Sequence, residues 1–141
     1  MMSEVKDLLI KKDYTFVCIK EDEKYVSNLH GIAPIMIKLE EDSEYFKDSI
    51  VADRVIGKAA AMLLIMGGIK KLYAKIISRH ALDILKLTDI EIEFDKVVPY
   101  IINRTGDGIC PMEETVLTEN NCEEAYQLLK QKLTHMKQNN K

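Results

Sequence analysis

The sequence predicts an α/β fold, specifically a three-layer α/β/α sandwich built on a mixed sheet. Three observations carry that expectation. Residues 59–66 are apolar without a break, and a helix that is apolar all round has to be buried all round. Residues 14–20 and 24–29 are rich in β-branched and aromatic types and flank the polar Glu21-Asp22-Glu23, the pattern of a β-hairpin. Beyond the apolar run, strand-like and helix-like segments alternate to the last helix, which places helices against a sheet.

Along the chain, residues 3–13 place Val5, Leu8, Leu9 and Lys12 at helical spacing with Ser3 as N-cap, a short amphipathic helix that covers part of the sheet. After the hairpin, residues 30–34 (His-Gly-Ile-Ala-Pro) break regularity. Ile35, Met36 and Leu39 then suggest a helix ending in the acidic run 40–44, a solvated turn. The central helix is read over residues 53–68, with Asp53, Arg54 and Lys58 in its first turns and Gly67-Gly68 as its stop. Residues 69–77 read as a strand, and Ser78 caps a helix that runs to Leu87. Residues 90–94 alternate strictly, as a half-buried strand does. Residues 97–102 are apolar again, although Pro99 argues against a regular interior strand. A polar loop follows at 103–108, then a short helix over 110–117. A final amphipathic helix spans 121–136, capped by Asn121 with Glu124 three residues on.

The chain has 141 residues and 47% hydrophobic content, enough for one domain over residues 1–141 with its own core, residues 138–141 forming a frayed tail. A formal net charge of -3 supplies no basic field for a nucleic-acid polymer or an anionic membrane surface. The longest apolar run falls far short of the roughly 18 residues of a membrane span. Three cysteines, Cys18, Cys110 and Cys122, share no CxxC spacing and follow no signal peptide, so reduced thiols in a cytoplasm are expected.

Two regions are candidates for chemistry. On the helix read over 53–68, Arg54 and Lys58 form a like-charge pair four residues apart, which costs about 0.2–0.5 kcal/mol unless something negative lies between them. Asp53 or a nearby glutamate would answer that need, and so would a bound phosphate or carboxylate on the free N–H groups of the helix start. Gly57 adds to the second reading, because a mid-helix glycine costs about 1 kcal/mol against alanine and close packing of a strand or ligand would explain it.

The second region is NRTGDGICPMEE, residues 103–114. Gly106 and Gly108 permit a tight loop, and Cys110 precedes Pro111 at the first position of a helix. A thiol there, beside Arg104, is a candidate nucleophile. The bland alternative is capping-box spacing between Cys110 and Glu113, with a weak cap. Glu113 and Glu114 suit a helix start, and a general acid or base role is the alternative for Glu113. His30, His80 and His135 are scattered, with no HExxH and no HxE followed by PCxxC, so no metal site of standard spacing is present. No Walker A loop, GxGxxG or GxSxG occurs, and no cofactor is implied. Met62, Met66 and Met112 suit core filling better than a binding surface.

The blocks ADRVIGKAAA, KLYAKIISRHAL and above all VPYIINRTGDGICPMEETV resemble an uncharacterised prokaryotic family, a domain of unknown function whose fold is similar to that of cytidine deaminases. The resemblance covers nearly the whole chain. Deaminases of that fold hold zinc with a His-x-Glu motif at the start of the central helix and a Pro-Cys-x-x-Cys motif at the start of the next. In order of elements those places fall on residues 53–55 and 78–82, which lack the ligands, so deaminase activity is not carried over. The resemblance implies a crevice lined by Asp53, Arg54, Lys58, Ser78, Asn103, Arg104, Cys110 and Glu113.

The function expected from the sequence is binding of a small, anionic or nucleotide-like ligand, with Arg54 and Lys58 on the anion, Ser78 and Arg104 beside it, and Asp53 and Asn103 reading polar groups. Two alternatives stay open. One is an enzyme acting on a nucleoside-like or amide substrate, with Cys110 as nucleophile or Asp53 as base. The other is an interaction module that works by oligomerising.

Overall fold

The computed structural model describes residues 2–103 and 105–139. Its elements run α1 (Met2–Lys11), β1 (Phe16–Lys20), β2 (Glu23–Ser27), α2 (Ala33–Glu41), β3 (Ile50–Ile56), α3 (Lys58–Gly67), β4 (Lys71–Ser78), α4 (Arg79–Leu85), β5 (Glu91–Val98), α5 (Pro111–Thr115) and α6 (Cys122–Asn139). The strands form one mixed sheet in the order β2-β1-β3-β4-β5. β1 is antiparallel to both its neighbours, and β3, β4 and β5 are parallel.

Strand alternation sorts the core into two parts. Val17, Ile19, Ala52 and Tyr73 point to the face covered by α1, where they meet Val5 and Leu9. Phe16, Cys18, Val51, Leu72 and Ala74 point to the other face, where α2, α3 and α4 pack, with α5 and α6 completing that cluster. Helices therefore lie on both faces of a mixed sheet. The acidic side of β5, Glu91, Glu93 and Asp95, stays exposed as the alternation predicts, on the sheet face that carries α1. Lys6 donates to Glu93 there, and the Tyr73 hydroxyl donates to Asp95 at 2.6 Å.

Several local expectations hold. The hairpin forms with a two-residue connection between Lys20 and Glu23. Gly68 ends α3 in the left-handed conformation, φ 77°, its N–H reaching Ile65 and Leu64 carbonyls. The Ser78 hydroxyl caps α4 by accepting the Ala81 N–H, and Asn121 Oδ1 accepts the Glu124 N–H. Here Glu119, not Glu124, accepts the Asn121 N–H. β5 runs four residues beyond Phe94 and stops at Val98, one residue before Pro99, where a ladder donor would be missing. Ser3 lies inside α1 rather than at its cap.

The main correction concerns residues 53–57. Asp53 and Arg54 belong to β3, and the central helix begins only at Lys58. β3 is buried on both faces over Val51, Ala52 and Asp53, so it shows no apolar-polar alternation. It enters α3 after the single residue Gly57, which is the N-cap. Arg54 and Lys58 are thus not a helical i, i+4 pair, and Gly57 carries no mid-helix cost. No helix among the described residues is long and apolar enough to cross a membrane.

Candidate functional site

Beside the start of α3 the fold leaves a cavity of about 780 Å³, within the size range of small-molecule sites. Phe16, Ala59, Ala60, Ile101, Met112, Leu133 and Met136 supply apolar wall, and Asp53, His30, Asn103, Thr105, Cys110 and Glu113 supply polar groups. Asp53 is 6% exposed, whereas Leu29, Val55 and Ile102, which also line the cavity, are 48%, 41% and 61% exposed. The acid is therefore deep, and the rim combines these apolar side chains with the exposed His30 and Thr105.

Asp53 reaches this cavity because it sits on the same sheet face as Val51, paired with Phe16 of β1 and Ala74 of β4. Its Oδ1 accepts the Val55 N–H at 3.3 Å. Among the described residues it has no ion-pair partner. Burial pushes its carboxyl well above the usual carboxylate range, against a smaller opposing effect of the Val55 and Arg54 N–H groups.

Arg54, the next residue on the strand, sends its guanidinium the other way. Nε donates to the Tyr14 carbonyl at 2.7 Å, and Nη2 donates to the Leu9 carbonyl at 2.8 Å and to Asp13 at 3.0 Å. Lys58 lies outside the cavity lining. Its Nζ donates to the Leu117 carbonyl at 2.7 Å, and burial lowers its pKa against the opposing charges of Glu119 and Glu113. The two cations are thus on separate errands within the fold.

Glu113 is 1% exposed and holds three elements together. Its Oε2 accepts the Lys58 N–H at the start of α3 at 2.6 Å and the Ser78 hydroxyl at the start of α4 at 2.5 Å. Its Oε1 accepts the Ile101 N–H at 2.8 Å. Two helix N-termini and a buried acid suit one another electrostatically. Ser78 is completely buried in this junction.

The loop after Ile102 is closed on itself. Asn103 Oδ1 accepts the N–H groups of Gly106 and Asp107 and the Thr105 hydroxyl, and Asn103 Nδ2 donates to Asp107. Gly106 takes φ 79° there, as a tight turn needs. Arg104 lies outside the described residues. Cys110 is the N-cap of α5, makes no side-chain cap bond and lines the cavity. Cys18 is buried in the core, which pushes its thiol up to about 11. Among the described residues no group of three or more His, Cys, Asp or Glu comes together to hold a metal ion.

Of the residues singled out in the sequence, the fold brings Asp53, Asn103, Cys110 and Glu113 to one cavity, with Arg54 lining it. Ser78 and Lys58 join it only through Glu113. His30, the rim residues and the α6 side chains Leu133 and Met136 carried no chemical pattern in the sequence. The break at His30-Gly31 was the one local signal near them.

The comparisons with known proteins agree with this architecture. The crystal structure of a DUF1893 family protein, TM1506 from Thermotoga maritima, superposes with a TM-score of 0.84 at 25% identity, over 93% of this chain and 88% of that one. No curated protein matches this chain. The family model for TM1506, described as a domain of unknown function (DUF1893), matches residues 4–133, and the chain belongs to that family.

Proposed function

We propose that this protein binds a small nucleoside-like or amide-bearing molecule in the cavity at the start of α3. The observation that carries this is Asp53, a deep carboxyl group with no charged partner among the described residues, on the wall of an otherwise largely apolar cavity. A buried, incompletely bonded polar group is costly to a fold, and such groups cluster at functional sites. The reading keeps the expected ligand size and changes its charge. Arg54 and Lys58 are engaged with backbone carbonyls, so the ligand is neutral or donor-rich rather than held through a phosphate by those two side chains.

The likeness to the cytidine-deaminase fold belongs to the same proposal. In that fold the starts of two successive helices hold zinc; here the starts of α3 and α4 are joined by the Glu113 carboxylate. That supports binding without hydrolytic deamination at this junction.

NMR titration with a panel of nucleosides tests the reading. Shifts are expected at the amides of Gly31, Val55, Gly57 and Cys110, and their loss is expected in Asp53→Asn. A panel that leaves all four unmoved would overturn it.

A second reading rests on Cys110 opening on the cavity that Asp53 lines. It is hydrolysis of an amide with Cys110 as nucleophile and Asp53 as base. Turnover of nucleoside and amide substrates, retained in the protein and abolished in Cys110→Ser, is the result this reading requires.

A further inference from the structure

The floor and the rim of the cavity differ in what they ask of a ligand. At the floor, Asp53 offers acceptor capacity beyond the Val55 N–H it already receives. The neighbouring acid, Glu113, already has three donors. Asn103 and Thr105 spend their polar atoms on their own loop. Of these groups it is therefore Asp53 that has acceptor capacity left for donors from a ligand. The walls are mostly apolar, and Leu29, Val55 and Ile102 stand exposed around the opening together with His30 and Thr105.

Building on the proposed function, we infer that the cavity selects a planar, mostly apolar molecule that presents two adjacent N–H donors to the Asp53 carboxylate. A carboxylate accepts such a pair in bidentate fashion, which fixes the plane of the ligand as well as its position. Two kinds of molecule carry this edge: a charged amidinium or guanidinium, and the neutral 2-amino-6-oxopurine edge of guanine. The apolar walls take the ring, and the exposed rim covers whatever part of it emerges.

Two matched pairs of probes test this on the unaltered protein by calorimetry and NMR. Guanosine differs from inosine by the 2-amino donor, and benzamidine differs from benzamide by replacing an acceptor with a second donor. At least tenfold tighter binding is expected for the donor-pair member of one or both pairs, with shifts at Val55 and Gly57. Whichever pair shows it identifies the neutral or the charged source. Asp53→Asn is expected to remove the preference by turning one acceptor oxygen into a donor. If that variant does not fold, the comparison on the unaltered protein decides alone.

Equal binding of both members of both pairs would overturn the donor-pair inference and leave cavity binding standing. Unmoved cavity amides with all four probes and with the nucleoside panel would overturn both. Preference retained in a folded Asp53→Asn would also overturn the inference.

Discussion

A Cβ atom on residue 57 would stand 3.0 Å from Oε2 of Glu113, so Gly57 and Glu113 fit one another as backbone and carboxylate. The backbone at Gly57, φ -94° and ψ 179°, is open to any residue; it is the neighbour that demands glycine. Ile101 Cγ1 would lie at 3.0 Å as well. Because Glu113 is pinned by three donors, it has little room to yield. Gly57→Ala is expected to cost about 1–3 kcal/mol, the usual range for overpacking, measured by urea unfolding.

Glu113→Ala should cost more than Gly57→Ala. It leaves the Lys58 N–H, the Ile101 N–H and the Ser78 hydroxyl without their acceptor, and bonds to a charged group contribute about 1.5–3 kcal/mol each. A loss of at least about 3 kcal/mol is expected in the same unfolding experiment. Glu113→Gln should be intermediate, because its NH₂ would face a donor on one side. Stability unchanged in Glu113→Ala would show that the junction does not hold the two helix starts.

Asp53 works against stability at neutral pH. Its folded-state carboxyl is raised above the unfolded value by burial, so the stability linked to its proton is fully present below the unfolded pKa. That stability is lost as pH rises through the folded pKa. Asp53→Asn should therefore be more stable than the native sequence at pH 7, by about 1–3 kcal/mol, the scale of the desolvation penalty of a buried polar group. The advantage should shrink as the pH approaches the ordinary carboxylate range. Thermal unfolding across pH 4–8 checks both points; a destabilised Asn variant at pH 7 would contradict them.

Arg54 fastens the end of α1. Its bonds to the Leu9 and Tyr14 carbonyls satisfy acceptors near a helix C-terminus, where a cation is favoured. Its ion pair is different, since the Asp13 side chain is 94% exposed and such pairs contribute little. Arg54→Ala should cost about 2–3 kcal/mol by the loss of charge-assisted bonds and speed hydrogen exchange in α1. Asp13→Asn, which keeps a residue tolerant of the φ 59° found there, should stay within about 0.5 kcal/mol.

The cysteines should differ in reactivity. Burial raises Cys18 to about 11 and also raises Cys122, whereas Cys110 lines the cavity. Iodoacetamide at pH 7.5, followed by peptide mapping, should modify Cys110 first and spare Cys18 until the chain unfolds. Modification of Cys18 ahead of Cys110 would mean that β1 opens more readily than the cavity.

What the sequence alone determined were features written in a few neighbouring residues. The hairpin, the buried apolar helix, the stop at Gly68 and the caps at Ser78 and Asn121 follow from composition, period and cap chemistry. Tertiary structure decided what β3 is, because a strand buried on both faces carries no alternation and passes into α3 through one glycine. It also sent Asp53 and Arg54 to opposite faces of the sheet, one into a cavity and the other onto α1. The partners of Glu113 at the starts of α3 and α4 lie 55 and 35 residues away in the chain. No local period encodes such a contact, and only the packing of α3, α4 and α5 around one carboxylate brings it about.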